Sequence, residues 1–170
     1  NGAGLHNQAY RFNSGEWTST NMFEISKNGT YTIEVRDAIG NTSIKKISIT
    51  HIDTEAPKVD ITCNDSIWSK KSTIAVVATD TGAGLHNKAY RLNGGSWGNT
   101  KTFEVSENGT YVVDVRDALG NITTKTSGVT KIDVSAPKAN ISCDVGTWSQ
   151  KKTITVMATD NGSGLHSQPY

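Results

Sequence analysis

Cysteine is nearly absent: Cys63 and Cys143 are the two in 170 residues. That is too few for a disulfide framework, and with no His-Xaa3-His or Cys-Xaa2-Cys spacing the chain lacks the usual ligand pattern of a zinc site. Excess charge is missing too. The formal net charge is +1, and the densest basic spots are the pairs Lys70-Lys71 and Lys151-Lys152, which leaves no electrostatic footprint for nucleic acid or an anionic membrane surface. No apolar run approaches the roughly 20 residues that span a bilayer, so membrane insertion is not expected. Asn1 opens no charged-then-apolar leader, and any secretion signal would lie outside these residues. Helical periodicity is absent along the whole chain.

What the chain does have is alternation. From Asn108-Gly109 the residues Tyr111, Val113 and Val115 point one way and Val112, Asp114 and Arg116 the other, until a Gly120-Asn121 turn ends the run. This is the pattern of a half-buried β-strand between tight turns. The same stretch occurs at 28–41, and pairing every residue i with i+80 over positions 1 to 90 gives 49 identities without a gap. Such a period describes an array of small domains rather than a solenoid. The Ala56-Pro57 and Ala136-Pro137 steps mark the boundaries, because proline fixes φ and drives the preceding residue to extended geometry, as suits a short stiff linker. The expected organisation is residues 1–53 as the last five strands of one repeat, 54–133 as a complete repeat, and 134–170 as the first two strands of a third.

The complete repeat reads as seven strands. The first spans 58–63 with Val59, Ile61 and Cys63 inward, and the second spans 73–79 with Ile74, Val76 and Ala78 inward. The third spans 89–93 with Tyr90 and Leu92 inward, Ser96-Trp97 forms a short fourth, and Phe103 and Val105 face inward from the fifth at 102–105. The 108–121 stretch is the sixth and 122–132 carries the seventh. Seven short strands in about eighty residues predict an all-β chain of tandem immunoglobulin-like β-sandwiches, with a small barrel as the alternative. Tyr111, and Tyr31 before it, stands at the start of the sixth strand, where a tyrosine corner belongs. The antibody disulfide has no counterpart, so Cys63 and Cys143 are expected to be buried free thiols.

Four motifs recur in order at constant spacing: Asn-Gly-Thr-Tyr, Val-Arg-Asp-Ala-Xaa-Gly-Asn, Ile-Asp-Xaa-Xaa-Ala-Pro and Ala-Thr-Asp-Xaa-Gly-Xaa-Gly-Leu. Together they resemble tandem bacterial immunoglobulin-like repeats of large secreted and cell-surface proteins, over the whole chain. The resemblance implies an extracellular stalk or adhesin module without catalysis, whose immediate partners are neighbouring repeats. Related modules decorate phage particles and carbohydrate-active enzymes, so host or surface glycans and proteins are the alternative partners.

Catalysis would need convergent groups, yet His6, His86 and His166 occupy equivalent glycine-rich loops about one domain length apart. They are expected to be solvated or hydrogen-bonded surface residues. Gly82-Ala83-Gly84 follows a strand but precedes no helix, so it does not read as a phosphate loop. Trp17 and Trp97, after glycine-rich turns, are the candidate sugar-stacking residues. Trp68 and Trp148 recur about five residues before a core strand, where the plainer expectation is a plug closing the end of the sandwich. Seven Asn-Xaa-Ser/Thr triplets, at Asn28, Asn41, Asn64, Asn108, Asn121, Asn140 and Asn161, fall largely in turns that favour asparagine anyway.

Two expectations concern the joints. Each terminal piece should expose a core face, so either the chain is an excerpt of a longer array or the two pieces complete each other head to tail between molecules. In a sandwich, the start of the first strand meets the loops after the second and sixth strands. Asp53, Asp80, Asp117 and Asn121 should gather there as candidate calcium ligands. Asp133 and Asp160 repeat two of them at the next joint, and Asp37 and Asn41 the other two at the previous one. The competing reading is that each aspartate simply caps its own turn.

Overall fold

Eleven strands and no helix make up residues 2–167, which a computed structural model describes. The chain forms two units, residues 1–55 with 81–83 and residues 56–80 with 84–170.

In the first unit, β1 (Leu5–Phe12), β2 (Gly29–Asp37) and β3 (Thr42–Ile49) form an antiparallel sheet in the order β1-β2-β3. Cross-strand partners Ile33 and Phe12, Val35 and Tyr10, and Tyr31 and Ile47 gather on one face. Phe12 stacks on both Phe23 and Tyr31 at 5.3 Å between ring centroids.

In the second unit, β4 (Lys58–Cys63), β5 (Ser72–Thr79) and β7 (Thr102–Val105) form one antiparallel sheet in the order β4-β5-β7. A second sheet has the order β6-β8-β9, from β6 (Leu85–Leu92), β8 (Gly109–Asp117) and β9 (Ile122–Val129). The inward residues of both sheets share one core: Val59, Ile74, Val76 and Val105 from the first, with Tyr90, Val113, Val115 and Val129 from the second. Each such aliphatic side chain contributes about 1.5–3 kcal/mol on burial, which makes this core the main source of the unit's stability. A hairpin of β10 (Lys138–Cys143) and β11 (Ile154–Thr159) completes the unit, with Ile141 and Ile154 exposed.

Turn chemistry sets the register. Asn93 and Gly94 take φ of 48° and 69°, and Gly95 N–H donates to the Leu92 carbonyl, so β6 leaves through a primed two-residue turn whose twist suits a hairpin. The Asn93 side chain then accepts from Val112 N–H at 2.8 Å, locking the turn onto β8. Between Leu85 and Tyr90 the register with β8 shifts, and His86 Nδ1 accepts from Lys88 N–H within that bulge.

Several strand expectations need correction. The third strand begins at Leu85, inside the glycine-rich loop, because the bulge lets an irregular segment keep pairing. The expected fourth strand at Ser96-Trp97 is absent; only an isolated bridge between Tyr90 and Gly98 marks the place. The seventh strand stops at Val129, and Ile132 forms a separate parallel bridge with Ser69. Neither thiol is fully buried: both are half-exposed, and Cys63 Sγ stands 3.2 Å from the Ser72 hydroxyl.

Candidate functional site

The polar side chains of the second unit collect where strands end. Asp117, at the end of β8, is 0 % exposed, and its oxygens are taken by its own loop. Oδ1 accepts from Leu119 N–H at 2.9 Å and Asn121 N–H at 2.8 Å, while Oδ2 accepts from the Asn121 side-chain amide at 2.6 Å. Burial pushes its carboxyl up, but the Asn121 amide and then the backbone N–H groups of the loop outweigh that and hold it below the usual carboxylate range. Asp80, at the end of β5, accepts from Gly84 N–H at 2.7 Å. Oxygens of Asp80 and Asp117 come within 4.8 Å of each other, so the fold brings Asp80, Asp117 and Asn121 together. Asp53 belongs to the first unit, where it accepts from Glu55 N–H at 3.0 Å and Ala83 N–H at 2.6 Å.

Asp133 and Asp160 repeat this chemistry. Asp133 accepts from the Ser163 backbone and hydroxyl at 2.7 and 2.8 Å, and from Ser135 N–H at 2.9 Å. The Ser163 bonds are the main reason its carboxyl lies below the ordinary range. Asp160 accepts from Gly162 and Gly164 N–H. A Cβ at 162 would fall 2.3 Å from Asp133 Oδ2, so any side chain there would displace that carboxylate. The previous repeat uses Asp37 as the middle one uses Asp117, with Asn41 donating to it at 2.7 Å.

Asparagines tie the linkers down. Asn108 Nδ2–H donates to the Ile132 carbonyl and its Oδ1 accepts from Ile132 N–H, both at 2.8 Å. Asn28 does the same to Ile52 in the first unit. Tyr111 and Tyr31 donate their hydroxyls to carbonyls four residues back, Glu107 and Lys27, as a tyrosine corner does.

The tryptophans are placed otherwise than as plugs. Trp68 is 42 % exposed, which corrects the expectation that it closes the end of a sandwich; Trp148, also exposed, stands beside the two-stranded β10–β11 hairpin, which offers no sandwich to close. Trp68 instead lines an open cleft of about 430 Å³ with Ile132, Asp133, Lys138 and Asp160. Trp97 is half-buried beneath two guanidinium groups, Arg91 at 4.4 Å and Arg116 at 4.3 Å from the ring centroid. Trp17 carries Arg11 and Arg36 in the same way. Arg91 also pairs with Asp114 at 2.8 Å, and Thr124 donates to the other Asp114 oxygen at 2.6 Å. Burial raises the Asp114 carboxyl, and the Thr124 hydroxyl and Arg91 guanidinium bring it below its ordinary value.

His6 and His86 spend Nδ1 on backbone N–H groups two residues on, and His166 is exposed. No family model, no curated protein and no solved structure matches the chain.

Proposed function

We propose that the chain is a run of tandem immunoglobulin-like β-sandwiches serving as a non-catalytic spacer in an extracellular, cell-surface or secreted adhesin-type protein of the kind its motifs resemble. Two separate three-stranded sheets around one core favour a sandwich over a barrel, and the strand order in each suits an immunoglobulin-like topology. The observation that carries the spacer reading is the use of the joint residues. Asn108 and Asp133 bind backbone in and beyond the linker that follows β9, so these polar groups set its course. A series of proteins with one, two and three complete repeats tests this by small-angle scattering. The maximum dimension should grow by a constant increment per repeat, and a series without that constancy overturns the reading. Glycan binding through Trp17 and Trp97 is the weaker alternative, because guanidinium groups occupy the space over both rings. Glycan-array binding that disappears in Trp97→Ala would restore it.

A second reading adds calcium. Two carboxylates within 4.8 Å repel unless a cation or a bound proton relieves them, and the bonds around Asp117 favour its ionised form. Asp80, Asp117 and the Asn121 amide oxygen are hard oxygen donors of the class calcium takes, with backbone carbonyls and water to complete six to eight ligands. Asp117→Asn keeps acceptors for Leu119 and Asn121 N–H while removing the charge. Calorimetry should show heat with calcium that vanishes in this variant; no heat at millimolar calcium leaves these residues as turn formers.

A further inference from the structure

The outer face of the β6-β8-β9 sheet gathers cations that the sequence scatters. Arg91 and Arg116, with the exposed Lys88 beside them, stand there against one carboxylate, Asp114, and the counterpart face of β1-β2-β3 carries Arg11, Arg36 and Lys46 against Glu34. The rest of the chain holds eleven Lys and Arg against fourteen Asp and Glu, so these two faces are basic in a molecule that is otherwise slightly acidic. The arginines of the middle repeat are also fixed in place. Each lies over the Trp97 ring, Arg91 donates through Nε to Asp114 at 2.8 Å, and Arg116 donates through Nε to the Lys88 carbonyl at 3.1 Å. Neither Nη of Arg91 has an acceptor among the described residues. Arg116 meets only His86 Nδ1, at 3.4 Å, an atom that already accepts from Lys88 N–H.

We infer that this pair of guanidinium forks is a binding site for the carboxylate or sulfate groups of an acidic polysaccharide. A guanidinium with unsatisfied Nη groups meets such an oxyanion bidentately, and one already oriented by its Nε bond and an indole loses little freedom in doing so. Thr124 and Thr126, outward neighbours on β9, supply hydroxyls for the sugar. Nucleic acid fits less well, because the guanidinium groups cover the ring on which a base would stack. Neutral sugars have no claim on the forks, which separates this site from stacking on Trp97, and the spacer reading does not require it. The first unit shows what sets the forks. There Glu34, one methylene longer than Asp114, takes Arg11 through Nη2 at 2.6 Å and leaves Nε unpartnered, so the edge that would meet an oxyanion is occupied. In the middle repeat Thr124 donates to Asp114 Oδ1 at 2.6 Å, leaving Oδ2 for Arg91 Nε; the first unit has Ile44 at that position.

Titration of the 170-residue protein with sulfated heparin fragments and with polygalacturonate, beside neutral dextran, tests the site. One or both acidic chains should bind, more weakly as salt is raised, and dextran should not bind. Arg91→Gln and Arg116→Gln should each weaken binding about tenfold. Asp114→Glu keeps the charge yet should weaken it nearly as much, by capturing Arg91 as Glu34 captures Arg11. The reverse pair, Glu34→Asp with Ile44→Thr, should build a second site in the first unit and raise the stoichiometry, a gain that misfolding cannot produce. Binding by neither acidic chain overturns the inference, as does equal binding by dextran or tighter binding by single-stranded DNA. So does binding that is indifferent to Asp114→Glu and to the reverse pair, since net charge alone would then account for it.

Discussion

The β1-β2-β3 and β6-β8-β9 sheets share a register and much of their sequence, yet Val113 and Val115 are fully buried while Ile33 and Val35 remain partly exposed. What differs is the partner. β4, β5 and β7 cover one sheet, and their inward side chains complete its core. Turns and cross-strand pairs are therefore enough to shape a three-stranded sheet, whereas the burial that stabilises it comes from the sheet laid on top.

The comparison breaks most sharply at the covering residue itself. Ile74→Ala should cost about 3 kcal/mol, through lost transfer energy and the cavity left behind. Ile154→Ala, the same change on an exposed strand, should cost under about 1 kcal/mol. Denaturant unfolding of both variants measures the gap, and equal costs would mean that the hairpin is covered in solution.

A middle-sized effect is expected at the loop aspartates. Asp117→Ala strips the buried acceptor from three donors of the loop that follows it and should cost about 2 kcal/mol, while Asp37→Ala, removing the same bonds nearer solvent, should cost less. Acid offers a second view of the pair. Both carboxyls lie below the ordinary range, Asp37 chiefly through the Asn41 side-chain amide, so the unfolded chain takes up protons first as pH falls. Their contribution should be complete above about pH 4 and disappear as pH drops through the lower folded-state values, read from melting temperatures between pH 2 and 6.

The smallest effect sharpens the comparison at a turn. Ser14 takes φ of 61°, where its counterpart Gly94 takes 69° without steric cost. Ser14→Gly should stabilise β1–β2 by about 0.5 kcal/mol, seen as slower hydrogen exchange in those strands, and Gly94→Ser should weaken β6–β8 by a similar amount.

Where local pattern decided the outcome, the sequence was readable. Alternation at Val59, Ile61 and Cys63 and at Phe103 and Val105 located β4 and β7 to the residue, whereas Asn93, read as the end of the strand before it, is the first central residue of the turn. Where backbone is captured by side chains, it was not. His86 bonding Lys88 N–H extends β6 into a segment that reads as loop, and Gly98 pairs with Tyr90 as a single bridge with no strand around it. The setting of Trp97 was missed because its partners Arg91 and Arg116 arrive from β6 and β8. A signal was present, since Trp17, Arg11 and Arg36 repeat the triplet at the same spacing and on outward positions. Topology brought Asp80 near Asp117, but which donors hold each aspartate depended on loop conformation that spacing alone does not encode.

The ties around Ile132 have a mechanical consequence. When the chain is pulled, tension enters the middle repeat at β4 and leaves past Ile132. There Asn108 grips both backbone groups of Ile132, Asp65 holds Thr130 and Lys131, and Ser69 bonds Lys131 and Asp133. Ser69 and Ile132 pair in parallel, so traction loads these bonds side by side and they share the force instead of opening one after another. The repeat should yield as a brittle element, stiff until the whole set fails at once, with little slack before that point.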